Sequence, residues 1–362
     1  MNKMNIVCLV LLIILLVNTP SFGIPDNKTD KGKSNSLNKR QFLINDSWQY
    51  LEDPIVDVRD LVKSKMAWTT VNIPHTWNAF DAVDQVPGYR RSASWYKKNI
   101  NIPVSAKDSR IIIYFEGINT ESKVFVNNKF AGGHVGGYIG FEIDITPFIK
   151  YGSNNLIAVR ADNSINFDII PSQKSDFFIY GGITRNVWIK AVPHEYIKTI
   201  TIHAADISKD KAKTSVQVNI INTLKTNRSS TIEAILKEAT GRNISQVFVE
   251  KTIQPGTNNI ILEFPILTNP KLWSPSNPYL YSVNVRIKDN NKITDTVTQK
   301  LGYRFFEFKE HGPFFLNGER LLLRGTQRHE DYAGLANALP DSLQRKDMEM
   351  IKGMGANFVR LA

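Results

Sequence analysis

From about residue 42 to residue 194 the chain is written in short apolar runs broken by turn residues, a pattern that predicts many short strands. Ile139, Phe141, Ile143 and Ile145 alternate with Gly140, Glu142, Asp144 and Thr146, the period of two of a half-buried strand. Residues 111–115 form a continuous apolar run, expected of a strand covered on both faces. Val124-Phe125-Val126 stops at Asn127-Asn128. Asn tolerates the left-handed backbone that a type I′ turn demands, so this pair predicts a two-residue hairpin. Residues 156–159 and 187–192 supply further strands, and no helix of more than a turn or two is apparent. Residues 40–195 therefore read as a jelly-roll β-sandwich.

A second all-β stretch runs over 196–305. Val216, Val218 and Ile220 alternate with Gln217 and Asn219; Ile232, Ala234 and Leu236 alternate with Glu233 and Lys237. Tyr281, Val283, Val285 and Ile287 alternate with Ser282, Asn284, Arg286 and Lys288. Such strands at roughly 8–12-residue spacing fit an immunoglobulin-like β-sandwich. After Phe306 the pattern changes. Asn317-Gly318 predicts a turn, and Leu321-Leu322-Leu323 has the apolar continuity of a parallel strand. A helix follows, with Asp341 as its cap and Gln344 three residues on; Leu343, Met350, Ile351 and Met354 share one face. Gly353 and Gly355 mark its end, and residues 357–361 begin another strand. Strand, helix, strand is the first βαβ unit of an α/β domain over 306–362. Because the second strand stops short, the chain reads as the front part of a longer enzyme.

Composition narrows the chemistry. The only cysteine among 362 residues is Cys8, inside an apolar run at 6–17 that follows Lys3 and precedes Ser21-Phe22-Gly23. This is the layout of a secretory signal peptide over 1–23, which predicts a secreted or periplasmic protein with no thiol left after cleavage. The run is shorter than the ~20 apolar residues a spanning helix needs, so no stable membrane span is expected. Residues 24–39 are polar and read as a flexible leader. Net charge is +11, yet no block of five like charges and no basic helix occurs, so nucleic acid is not an expected partner.

The six histidines, at 75, 134, 194, 203, 311 and 329, include no pair at i, i+3 or i, i+4, so no local zinc motif exists. His134 is flanked by glycines, but without a following Lys-Ser/Thr this reads as a glycine-rich hairpin, not a phosphate loop. Trp68, Trp77 and Trp95 read as core. Glu330 and Asp331 are adjacent acids. Neighbouring side chains on an extended segment point to opposite faces, so they are rejected as a catalytic couple. The sequons at Asn27, Asn45, Asn227 and Asn243 are assigned no role.

Several motifs in order resemble glycoside hydrolase family 2, and more closely its bacterial β-galactosidase-like members. In the first stretch the resemblance rests on residues 132–138 (Gly-Gly-His-Val-Gly-Gly-Tyr) and Asp144-Ile145-Thr146, then on residues 176–185 (Asp-Phe-Phe-Ile-Tyr-Gly-Gly-Ile-Thr-Arg). It continues through Leu272-Trp273-Ser274-Pro275 and Pro278-Tyr279-Leu280-Tyr281. Leu323-Arg324-Gly325, Arg328-His329-Glu330-Asp331, residues 352–357 and Val359-Arg360 complete it. The resemblance implies a jelly roll, an immunoglobulin-like domain and a (β/α)8 barrel whose strand ends hold the site. It implies a retaining glycosidase of β-galactosidase type acting on a carbohydrate substrate, with β-glucuronidase or β-mannosidase as rivals. A non-catalytic carbohydrate-binding sandwich protein is the rival from another class.

The resemblance assigns both catalytic glutamates to positions beyond residue 362, so this stretch carries no catalytic residue and is expected to be inactive alone. For substrate binding it singles out three side chains. His329 would line the sugar pocket, Arg360 would help keep the nucleophile ionised, and Asp176 would reach from the jelly roll to the sugar hydroxyls. No metal ligand is assigned among these residues, although relatives sometimes hold Na+ or Mg2+ beside the matching aspartate. Oligomeric state is left open. Two departures stand out: Asn127-Asn128 replaces the usual Asn-Gly, and Thr326-Gln327 stands where Val-Asn is common, beside the pocket.

Overall fold

The computed structural model describes residues 40–52, 57–59, 61, 66–171 and 175–361. The segments expected to be a signal peptide and leader, 1–39, lie outside the described residues. What is described is mainly β: two sandwiches followed by one βαβ unit.

The first sandwich faces two antiparallel sheets onto each other. One has the spatial order Gln41–Leu43, Val187–Val192, Arg110–Phe115, Phe141–Asp144. The other runs Thr69–Val71, Trp48–Leu51, Ala93–Ile102, Ser153–Asp162, Glu121–Val126, Lys129–Val135. Between them lie Trp48, Tyr96, Ile111, Ile113, Phe115, Val124, Ile157 and Ile189, all buried. Ile113 stands opposite both Ile143 and Ile189, so a one-residue slip of any of the three strands would turn its apolar set out of the core. Asn127 and Asn128 take φ of 50° and 65°, the two left-handed positions of the type I′ turn. The alternation over 139–145 holds only from Phe141. Ile139 lies before the strand and is 68% exposed, while Ile143 and Ile145 are buried.

The second sandwich has the sheet Glu195–Ala205, Lys211–Asn222, Gly256–Glu263, packed on Asn243–Ile253, Arg228–Lys237, Tyr281–Asp289, Lys292–Leu301. Val216, Val218, Ile220, Ile232, Ala234, Leu236, Val283, Val285 and Ile287 fill it. In place of an intersheet disulfide, Tyr303 sits fully buried, 5.0 Å from the Tyr281 ring, its hydroxyl 2.6 Å from Thr214 Oγ1. Burial pushes its phenol up to about 12. Glu233 departs from its polar, outward-facing expectation, being only 2% exposed. The next strand closes over it: Lys288 Nζ donates at 2.5 Å and Arg286 Nη1 at 3.4 Å, with Gln246 Nε2 at 2.6 Å from the other side.

Arg40 joins the sandwiches. Its Nη1 donates to Asp295 Oδ1 at 3.0 Å, and Asp295 Oδ2 accepts the Ile197 amide at 2.7 Å. Burial holds the Asp295 carboxyl above its usual range despite the neighbouring guanidinium.

The third region opens with an antiparallel hairpin, Phe306–Phe308, Phe314–Leu316 and Glu319–Arg320, turned by Asn317 and Gly318 at φ 56° and 80°. Leu321-Leu322-Leu323 is not the parallel strand. The Leu321 amide donates to Phe314 O at 2.9 Å and the Arg324 amide to Asn357 Oδ1 at 2.9 Å, which ties this segment to the hairpin and to a side chain. The parallel strand is Gly325–Arg328, paired with Phe358–Leu361 across the helix Asp341–Gly353. Nor is Asp341 the cap. Pro340 holds that position in extended geometry, and its carbonyl takes the Leu343 and Gln344 amides at 3.0 and 3.4 Å. Of the predicted face, Leu343 and Ile351 are half-buried while Met350 and Met354 are exposed. The residue buried between Leu343 and Ile351, one helical step from each, is Asp347.

Candidate functional site

The parallel pairing fixes where the predicted residues fall. Gln327 lies opposite Arg360 and Arg328 opposite Leu361, and His329 is the first residue past the strand. His329 and Arg360 therefore occupy the same C-terminal end of the βαβ unit, the end at which barrel sites are built. Alternation puts Gln327 and Arg360 on one face and Arg328 on the other. Arg328 turns to the helix, its Nε donating to Asp347 Oδ2 at 2.8 Å with Nη2 at 2.7 Å, which accounts for the buried acid. Arg360 donates to Gln327 Oε1 at 3.0 Å. A carboxylate was the expected partner of a guanidinium in this strand, but Arg360 is exposed, so water meets the charge that burial would have left costly. His329 is likewise exposed.

Asp176 is exposed on the jelly roll, upstream of Tyr180. Tyr180 is the residue of its segment that meets the barrel opening, donating its hydroxyl to Asp331 Oδ2 at 2.8 Å. Burial and this carboxylate both push the phenol well above its usual range. Beside it, Arg185 pairs with Glu330, which also accepts from Arg328 Nη1 at 3.0 Å. Burial and the nearby Arg328 lower the Arg185 guanidinium below its usual value. The two adjacent acids thus share the same employment: both answer donors of the jelly roll.

The segment that carries Tyr180 is seated by buried amides. Asn78 Oδ1 accepts the Gly181 amide at 2.7 Å, Asn163 Nδ2 donates to Ile179 O at 3.0 Å, and Asn119 Nδ2 donates to Tyr180 O at 2.6 Å. A Cβ on Gly181 would fall 2.0 Å from Trp77 Cζ2, and Gly182 has φ of 133°, so both glycines are required by the close approach. Behind them His75 Nδ1 meets Tyr96 Oη at 2.8 Å, and burial lowers the imidazole to about 4.

Of the tryptophans, Trp95 is buried, while Trp68 and Trp77 are half-buried with Lys97 Nζ 3.7 Å and Arg90 Cζ 5.0 Å over their rings. A cation therefore covers each of those two rings. His134 lies in a hairpin strand and stacks on Phe141 at 4.4 Å. A cleft of about 770 Å³ lies elsewhere: Trp273, Pro275, Arg324, Ile351 and Asn357 line it at the N-terminal ends of the parallel strands. Space and candidate chemistry do not coincide.

Among the described residues no three His, Cys, Asp or Glu side chains assemble as a metal-ligand set. Glu330 and Asp331 are already engaged by Arg185 and Tyr180, and no step below passes through a metal. Among the described residues no helix is long and apolar enough to cross a membrane.

Two β-sandwiches leading into a parallel βαβ unit, with a histidine and an arginine at its C-terminal end, match the architecture that the motif resemblance implies. The comparisons agree. Residues 33–193 match the family 2 glycosyl hydrolase sugar-binding domain, and residues 195–304 match the glycosyl hydrolases family 2 domain that follows it. The chain belongs to glycosyl hydrolase family 2.

A Formosa agariphila protein named "Putative beta-glucuronidase" is 47% identical over 322 residues, covering 88% of this chain and 38% of its own. A Thermoanaerobacter pseudethanolicus beta-galactosidase is 35% identical over 319 residues, covering 87% of this chain and 42% of its own. Among solved structures, a Bacteroides uniformis beta-glucuronidase covalently bound to cyclophellitol-6-carboxylate aziridine has a TM-score of 0.84 at 30% identity, covering 89% and 39%. The chain spans about two fifths of the length of these relatives.

Proposed function

We propose that the whole protein is an exported retaining glycosidase that removes a terminal β-linked sugar, and that the described residues form the jelly-roll side and the first strand ends of its pocket. The observation that carries this reading is the meeting of His329 and the Gln327–Arg360 pair at one end of the parallel strands. An exposed imidazole there can hydrogen-bond a sugar hydroxyl, an interaction useful to catalysis where it strengthens in the transition state. An exposed guanidinium beside it favours an ionised carboxylate nearby. Asp176 would hydrogen-bond sugar hydroxyls from the sandwich.

Retention needs two carboxyl groups about 5–5.5 Å apart. One attacks the anomeric carbon while the other protonates the departing oxygen; water then releases the sugar and returns that proton. Glu330 and Asp331 are held by Arg185 and Tyr180, and the motif resemblance assigns the pair to positions beyond residue 362. As to the sugar, the motif resemblance supports galactose. The relative at 47% identity, by its name, supports glucuronate as a second reading.

The test is release of aryl alcohol from aryl β-galactoside and aryl β-glucuronide. The whole protein should cleave one of them, and His329→Ala should lower its kcat/KM by about 100-fold, the scale of a lost transition-state hydrogen bond. Residues 1–362 alone should not cleave either. Turnover by that stretch well above buffer would overturn the reading.

A further inference from the structure

The loop that follows the first parallel strand is fastened to the jelly roll along its length. Tyr180 donates to Asp331 Oδ2 at 2.8 Å, Arg185 pairs with Glu330, and Arg185 Nη1 donates to Asn337 O at 2.7 Å. The Gly334 amide donates to Ala79 O at 3.0 Å, and the Phe80 ring lies close enough that a Cβ on Gly334 would touch it at 3.5 Å. From the barrel side, Arg328 and Tyr332 both hold Asp347 of the helix. His329 lies between Arg328 and Glu330. Among the described residues its own ring has no hydrogen-bond partner, so its placement depends on the backbone to either side.

The sandwich is the fixed member of this contact. Tyr180 is 4% exposed, its carbonyl and the next amide are held by Asn119 and Asn78, and two adjacent glycines leave no slack. The loop is the member with the freer positions: His329, Asp331 and Ala333 are exposed, whereas Ala336 and Asn337 are buried, and exposed stretches of a connection sit at the low end of local stability. Hydrogen bonds in which the donor or the acceptor is ionised are about twice as strong as neutral ones, and three of the fastenings are of that kind.

We infer that Tyr180 and Arg185 are positioning residues for His329: acting through Asp331 and Glu330, they hold the loop so that the imidazole faces the strand ends in one orientation. This rests on the proposed function only for the identity of what His329 meets. The placement itself is measurable in the 362-residue chain without substrate.

Hydrogen exchange and the His329 ring resonances read it. Tyr180→Phe, which removes one hydroxyl and keeps the ring, should speed exchange of amides 329–337 about tenfold and shift or broaden the His329 signals. The His203 signals in the second sandwich should stay in place. Arg185→Met should do the same and Arg185→Lys should restore part of it. If Arg185→Met does not fold, Glu330→Gln removes the same ion pair from the loop side. Unchanged loop exchange and unchanged His329 signals in both Tyr180→Phe and Glu330→Gln would overturn the inference.

In the whole protein Tyr180→Phe should raise KM and lower kcat/KM about tenfold, following the loss of His329 placement. A whole protein that cleaves no glycoside, with the loop effects intact, would sink the proposed function and leave this inference standing.

Discussion

The jelly roll and the βαβ unit are read from the same alphabet of apolar runs, yet they bury them differently. In the jelly roll two sheets face each other, and Trp48, Tyr96, Ile111, Ile113 and Phe115 are closed off from water. In the βαβ unit two parallel strands have one helix against one face, and Leu322, Met354 and Leu361 are each 66% exposed. Within its strands and helix the buried side chains are charged, Arg328 and Asp347, and buried apolar residues such as Leu339 lie only in the connection between them. Apolar pattern predicts which residues want cover. What supplies the cover is a matter of neighbouring layers.

The contrast can be broken most severely by truncation. Phe115→Ala, which leaves a cavity between two complete sheets, should cost about 3–5 kcal/mol, while Met354→Ala on the exposed helix face should stay within about 0.5 kcal/mol. Urea denaturation of the two variants decides it, and equal losses would mean that the exposed face is packed in solution. A smaller effect is expected inside the second sandwich. Tyr303→Phe deletes only the hydroxyl that meets Thr214, so the loss should be about 1–2 kcal/mol, read from the same curves.

The subtlest difference is in pH response. Burial lowers the His75 imidazole from 6.5 to about 4 in the fold. The unfolded chain therefore binds more protons over that interval. The contribution of His75 is fully present above about pH 6.5 and is lost as pH falls towards about 4. Thermal unfolding between these values should show the jelly roll weakening, and His75→Gln should flatten that slope. A slope unchanged in His75→Gln would assign it to other groups.

Local chemistry was legible where the partner is local. Asn127-Asn128 turns as its residues require, and residues 187–192 form the strand their run predicts. Three readings failed, two because a group from another segment intervened and one because the cap lies a single position earlier. Lys288 and Arg286 cover Glu233, the hairpin and Asn357 claim the Leu321 segment, and Pro340 displaces Asp341 as cap. In the candidate site, periodicity and resemblance brought His329 and Arg360 to one end. Tyr180 and Arg185 stayed hidden because their partners are 151 and 145 residues away, beyond any spacing rule. The adjacency of Glu330 and Asp331 was visible, but only the fold shows what they hold.

Arg40 directly precedes the first strand of the jelly roll, yet its guanidinium belongs to the second sandwich. Trimming the polypeptide to start at Gln41 would preserve every strand of both sandwiches and still remove their latch. A start at residue 40 or at residue 41 thus decides whether Asp295 keeps its counter-ion.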